Sequence, residues 1–241
     1  MNWRLVPIAL VAMVCATGLY GANPEEIKMT VDNIHWYGHD SFRIQDGQKQ
    51  VYIDPWQMPD GLPKADYILV THVHHDHFSE PDIRKLSTDQ TKVIAPPDVV
   101  KLLGGGATPS VPGQTLDLAG LKVTAVPAYN VNKKYHLRSS NWVGYVLTLS
   151  DGVTVYHAGD TDATPEMDKL KVDIALLPVS GTYVMTAAEA AAAANAFQPK
   201  VAIPMHYGRI VGSDADARKF KELFKGEAVI KQVETPTARQ R

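Results

Sequence analysis

The sequence predicts a layered α/β fold, and three observations predict it. From Thr30 onward, short apolar runs rich in Val, Ile, Leu and Tyr alternate with turns. Helical patterns appear only at intervals between those runs. Polar clusters follow directly on several of them, as they do where strands end at a ligand site. With 241 residues, 45% of them hydrophobic, the chain can bury a substantial core, and layered folds of this size commonly form one domain.

Taken in order, the chain opens on Arg4, an apolar stretch from Leu5 to Leu19 and small residues around Ala16 to Ala22. Residues 1–22 read as a signal peptide, which makes residues 23–241 the domain and the protein exported, periplasmic or secreted. An uncleaved membrane anchor is the alternative, although the apolar run falls short of the roughly 20 residues a spanning helix needs. Cys15 is the only cysteine, so cleavage after it leaves no disulfide and no thiolate ligand. Any metal must then sit on His and carboxylates. A net charge of -2 argues against general attraction to nucleic acid or an anionic membrane surface.

Strands are expected over Thr30–Trp36, Ser41–Ile44 and Gln50–Ile53, the last two joined across the hairpin signal Asp46-Gly47. Further strands are expected over Tyr67–Val70, Lys92–Ala95, Leu121–Val126, Val143–Leu149, Val153–Tyr156, Asp173–Leu177, Val201–Ile203 and Ala228–Val233, with Asp151-Gly152 closing another hairpin. Helices are expected after Pro81 and after Pro97, over Ala187–Phe197 behind a Thr186/Glu189 capping box, and over roughly Asp214–Phe224. Gly104-Gly105-Gly106 and Pro109 to Gly113 mark an exposed connection.

The chemistry concentrates in the run Thr71-His72-Val73-His74-His75-Asp76-His77, directly after an apolar strand. A tight loop there can present His72, His74, Asp76 and His77 to one small volume, and zinc favours such nitrogen and oxygen donors. A satisfied core explains this run poorly, because several unpaired polar side chains beside a buried strand would each be costly. Asn130, Asp160, Gly181 to Tyr183 and His206 also follow strands, so one shared site is expected.

The pattern His72-x-His74-x-Asp76-His77, with Gly159-Asp160 and Met205-His206 downstream, resembles the metallo-β-lactamase superfamily. The stretches Trp36 to Phe42, Ile53-Asp54-Pro55, Tyr156 to Asp162 and Ile203 to Gly208 are similar to a small branch of it. That branch contains ascorbate-6-phosphate lactonase and the N-acylphosphatidylethanolamine phospholipase D group. The resemblance implies a four-layer αββα sandwich and one or two Zn2+ ions, with Mn2+ or Fe2+ as substitutes. It puts His72 and His74 on a first metal, Asp76, His77 and His206 on a second, and Asp160 between them. Asp76 would also orient or deprotonate the attacking water. The third histidine usual on the first metal is missing after Val126. Asn130, His136 six residues later, or a water are the open ways to complete that shell.

Around this set, Asp54 is a candidate for orienting a ligand imidazole. His39 is open between the site rim and a turn, and His35 and His75 read as structural or exposed. Tyr183, Tyr207 and Arg209 are candidates for holding a small-molecule substrate, anionic if Arg209 takes part. The expected function is a metal-dependent hydrolase that cleaves an ester-type bond, a phosphodiester or a lactone, with metal-activated hydroxide. The alternative is a periplasmic metal- or ligand-binding protein of the same fold with little turnover, motivated by the missing histidine.

Overall fold

The computed structural model describes residues 22–235, so the expected leader at 1–22 lies almost wholly outside the described residues. The first element is a helix, α1 (Pro24–Asp32), where the hydrophobic pattern suggested a strand from Thr30. Asn23 caps it by accepting from the Glu25 and Glu26 amides while Glu26 reaches back to the Asn23 amide, and Pro24 stands at the first helical position. Ile27, Thr30 and Val31 are its buried face. The strand that follows, β1 (Ile34–Trp36), is correspondingly short.

One sheet continues with β2 (Phe42–Asp46), β3 (Lys49–Ile53), β4 (Tyr67–Leu69), β5 (Lys92–Ala95) and β6 (Thr108–Pro109), in sequence order across the sheet. β1 to β3 pair antiparallel and β3 to β6 parallel. β6 lies in the segment expected to be an irregular connection. The second sheet holds β7 (Thr115–Leu118), β8 (Leu121–Pro127), β9 (Val143–Thr148), β10 (Thr154–His157), β11 (Ile174–Pro178), β12 (Val201–Met205) and β13 (Glu227–Ala228). Its first four strands are antiparallel and its last four parallel. β13 is shorter than the expected Ala228–Val233, and Val233 makes only a single parallel bridge to Trp36.

Alternation along the central strands sets the layers. Val51, Ile53, Leu69 and Ile94 face the core shared with Val123, Tyr145, Val155 and Leu176 of the second sheet. Their neighbours Tyr52, Ile68, Val70 and Ala95 face the other way, onto Ile83 and Leu86 of α2 (Glu80–Leu86) and Val99 of α3 (Pro97–Leu102). α4 (Ala187–Phe197) and α5 (Asp214–Leu223) cover the second sheet through Ala190, Ala191, Ala194, Phe197, Ala217 and Phe220. The result is the expected αββα sandwich. α4 has its expected bounds because its capping box forms, Thr186 accepting from the Glu189 amide. Among the described residues, no helix is long and apolar enough to cross a membrane.

At the end of the sheets remote from the histidine loops, Asp173 ties β10 to β11. It accepts from the Thr154 amide and hydroxyl at 2.9 and 2.8 Å and meets Lys200 Nζ at 2.9 Å. Burial opposes its ionisation, but these donors outweigh burial and hold the carboxyl below its ordinary 3.8. Its contribution is therefore complete above that value and disappears as the pH falls through the lower folded-state value. Asp173→Ala is expected to cost about 1–3 kcal/mol at pH 7. In denaturant titrations, that difference from the parent protein is expected to shrink below pH 3.8.

Candidate metal centre

Four parallel strands deliver the polar loops to one edge. Residues 70–77 leave β4, residues 158–162 leave β10, the Ser180 to Tyr183 turn leaves β11, and His206 follows β12. Close approach of two of these loops requires Gly159, at φ +62°, where a Cβ would meet the Thr71 Cβ at 3.1 Å. Asp54, His136 and His206 also adopt left-handed backbone conformations, at φ 47°, 54° and 59°. Such conformations cost about 1–3 kcal/mol each and collect where function requires a fixed geometry.

His72, His74 and His136 offer ring nitrogens that lie within 4.8 Å of one another. His74 Nδ1 is 3.1 Å from both His72 Nε2 and His136 Nε2. Two nitrogens bound at about 2.0–2.1 Å to one tetrahedral ion would be roughly 3.3 Å apart, so the spacing fits a shared metal. Asn130 commits its nitrogens to its own loop, while its Oδ1 is buried without a hydrogen-bond partner. Its amide nitrogen donates to the Tyr183 and Tyr135 carbonyls at 2.6 and 3.0 Å, and its backbone N–H donates to the His136 carbonyl at 2.8 Å. Asn130 thus clasps the loop that returns His136 to the cluster. Asp162 holds the same loop, accepting from the Val131 amide and from Lys133.

The second group is Asp76, His77 and His206, with His39 beside them. Asp160 stands between the groups. Its Oδ2 is 3.1 Å from His136 Nε2 and 4.0 Å from His72 Nε2, while its Oδ1 is 3.3 Å from His206 Nε2 and 3.4 Å from His77 Nε2.

The hydrogen bonds behind the imidazoles set which nitrogens face the cluster. Asp54, fully buried, accepts from the Thr71 amide at 2.7 Å, the Thr71 hydroxyl at 2.6 Å and His77 Nδ1 at 2.8 Å. Because the Thr71 hydroxyl spends its hydrogen on Asp54, its oxygen accepts from His72 Nδ1 at 3.0 Å. Ser180 plays the same part for His206. Its hydroxyl donates to the Thr182 carbonyl and accepts from His206 Nδ1 at 2.9 Å. All three rings therefore turn an Nε2 lone pair inward, the form in which neutral imidazole binds metal.

Electrostatics call for a cation at this place. His77 Nε2, Asp160 Oδ1 and both Asp40 oxygens are buried without a hydrogen-bond partner. Burial alone would depress the His77 and His206 pKa values, yet Asp160, assisted by Asp54 and Asp40 at His77 and by Asp40 at His206, raises both. Burial instead lowers His72 and His74, which keeps these two imidazoles neutral. The donors present fit one or two divalent ions.

The residues around the cluster divide between packing, bracing and exposure. Tyr207 is 2% exposed, its ring 4.9 Å from Trp36 in the core, and burial pushes its hydroxyl up to about 12. It packs rather than lines the site. Arg209 donates to the Gln57 side chain and the Tyr37 carbonyl, bracing the turn before His39. Tyr183 is 43% exposed and edge-on to Tyr135, and its carbonyl accepts from Asn130. His157 is fully buried, donating to the Asp40 carbonyl and accepting from the Gly159 amide. Trp142 carried no expectation, yet its ring is 4.9 Å from the rings of both His72 and His74, and its Nε1 donates to Asp98 of α3 at 2.7 Å. No spacing rule marks Trp142. Ser180 had a signal, since it follows a buried strand one residue before a glycine.

A family model described as the Beta-lactamase superfamily domain matches residues 33–206. A UPF0173 metal-dependent hydrolase from Thermococcus onnurineus is 33% identical over 216 residues, covering 82% of this chain and 95% of its own. The chain belongs to the metallo-β-lactamase superfamily of metal-dependent hydrolases. Solved structures are similar over most of the chain. A chain from Parabacteroides distasonis assigned as a metal-dependent hydrolase is 35% identical, with a TM-score of 0.76 and coverage of 83% of this chain and 93% of that one. Igni18, a metallo hydrolase from Ignicoccus hospitalis, shares the fold at 24% identity and a TM-score of 0.69, covering 84% and 95%.

For this hydrolase, the Asp54 network makes a direct prediction. Asp54→Ala frees the His77 ring and the Thr71 hydroxyl together, and metal affinity measured by calorimetry is expected to fall by about 10–100-fold. An unchanged affinity would show that the inward tautomers are set by something else.

Proposed function

We propose that this hydrolase holds two divalent ions, zinc foremost, and cleaves an ester-type bond, a phosphodiester or a lactone, in a small-molecule substrate. The observation that carries the reading is Asp160, whose two oxygens face the two histidine groups separately. His72, His74 and His136 would hold one ion and Asp76, His77 and His206 the other, with Asp160 shared. The absence of a thiolate from this set suits zinc and equally admits Mn2+ or Fe2+. Such ions, when bound, supply an activated water at neutral pH and neutralise charge on the attacked centre.

The chain's own residues do the rest. Asp76 is the carboxylate of the cluster with the most solvent access, its side chain 16% exposed against 4% for Asp160 and none for Asp54. Burial works against its ionisation, but the His39 N–H and the charge of His77 hold the carboxyl well below its usual range. It therefore stands as an anion beside the cluster, suited to accept a hydrogen bond from the attacking water and orient it, while its Oδ1 faces the exposed His75. Trp142 closes one wall beside His72 and His74. Val131, Tyr135 and Tyr183, exposed on the loops that Asn130 and Asp162 tie beside the cluster, would offer apolar surface to the substrate.

The position of His136 beside His72 and His74 supports turnover over the alternative of a binder with little activity, whose motive was a missing histidine. We further propose that residues 1–22 export the protein and that it works in the periplasm or outside the cell, which fractionation of cells expressing the full chain tests.

Purified protein reconstituted with Zn2+, Mn2+ or Fe2+ is expected to hydrolyse bis(p-nitrophenyl) phosphate or a member of a lactone panel. Asp76→Ala is expected to lower kcat by about 10²–10⁴-fold. Two bound metals with no metal-dependent turnover of any of these substrates would favour the binder.

A further inference from the structure

We propose that His39 is a positioning residue: its Nε2–H holds Asp76 Oδ2 turned toward the metal centre, and the ring itself binds no metal. This rests on the two-metal reading above. His39 is fully buried, and its Nε2 lies 3.1 Å from Asp76 Oδ2. That oxygen is also 3.9 Å from His77 Nε2, so it is the one that faces the cluster. The other oxygen points toward exposed His75. A carboxylate on a partly exposed loop can rotate about its terminal torsion. One buried donor on one oxygen removes that freedom.

The backbone is built to hold this imidazole still. His39 adopts φ +52°, in the left-handed region that non-glycine residues rarely enter. Its carbonyl accepts from Trp36 Nε1 at 2.9 Å and from the His206 amide at 3.1 Å, which locks the turn to the strand end that carries His206. Gly38 precedes it at φ +100°, and a Cβ there would lie 2.7 Å from Arg209 Nε, so the Arg209 side chain packs down on the turn. The His39 ring then lies 4.1 Å from the His206 ring and 5.6 Å from that of His77, with Trp56 on another side at 5.7 Å.

Ring chemistry separates a donor from a ligand. His39 is close enough to Asp76, His77 and His206 to be counted with them as a metal group. Coordination would need a bare Nε2 and would move the proton to Nδ1. Nδ1 is buried with no acceptor to receive it, whereas His72, His77 and His206 each have an oxygen waiting at that position. The proton therefore belongs on Nε2, aimed at Asp76.

Long-range proton–nitrogen NMR of zinc-loaded, histidine-labelled protein reads this tautomer without depending on turnover. His39, assigned by comparison with His39→Gln, is expected to be neutral with its proton on Nε2. A bare Nε2 with a coordination shift would overturn the proposal. In kinetics with bis(p-nitrophenyl) phosphate, His39→Ala is expected to lower kcat by about 10–100-fold at little changed KM. His39→Gln, whose amide can still donate, is expected to restore most of that loss. Alanine within twofold of the parent kcat, or glutamine no better than alanine, would equally overturn it. If the parent protein turns over neither substrate class, the tautomer measurement still decides the role of His39.

Discussion

A carboxylate removed from water among imidazoles is the constraint on which the rest of this structure depends. Asp160 is 5% exposed, and no protein hydrogen bond reaches its Oδ1. Leaving such an anion buried without compensation would cost several kcal/mol. The compensation is arranged symmetrically, with His136 and His72 on one oxygen and His77 and His206 on the other. Those imidazoles in turn need fixed tautomers, and their partners Asp54, Thr71 and Ser180 come from the turns that end β3, β4 and β11. The demand for positive charge at one point thus propagates outward into the loops, and from them into the strand ends.

The sandwich answers that demand by its mixed topology. Parallel strands β4, β10, β11 and β12 all end on the same edge, so four loops meet there while the antiparallel strands complete the two sheets. Positive φ values gather at Asp54, His136 and His206, places where the backbone must turn sharply to aim a side chain. The apolar core between the sheets and the helices outside them supplies the stability that such strained turns consume.

Much of this was legible in the chain. The alternation of strands and turns predicted the layers, and α4 was readable residue by residue because Thr186 and Glu189 form their capping box. Histidines immediately after a buried strand announced a shared site because spacing is local. Other features failed for physical reasons. α1 was masked by apolar residues that suit a strand as well as a buried helix face, although Asn23-Pro24-Glu25-Glu26 held the capping signal. Tyr207 follows a strand end beside His206, but its ring packs on Trp36, a contact between residues distant in sequence that spacing does not reveal. The choice between Asn130 and His136 could not be made from spacing, since the loop between them folds back through contacts with Tyr183 and Asp162, both distant in sequence.

The central claim, that Asp160 is shared by two metal positions, is tested most directly by anomalous diffraction at the zinc edge from crystals of the zinc-loaded protein. The account predicts two peaks roughly 3.5–4 Å apart, one beside His72, His74 and His136 and one beside Asp76, His77 and His206, with an Asp160 oxygen on each. A single peak at full zinc occupancy, or two peaks with Asp160 touching only one, would contradict it.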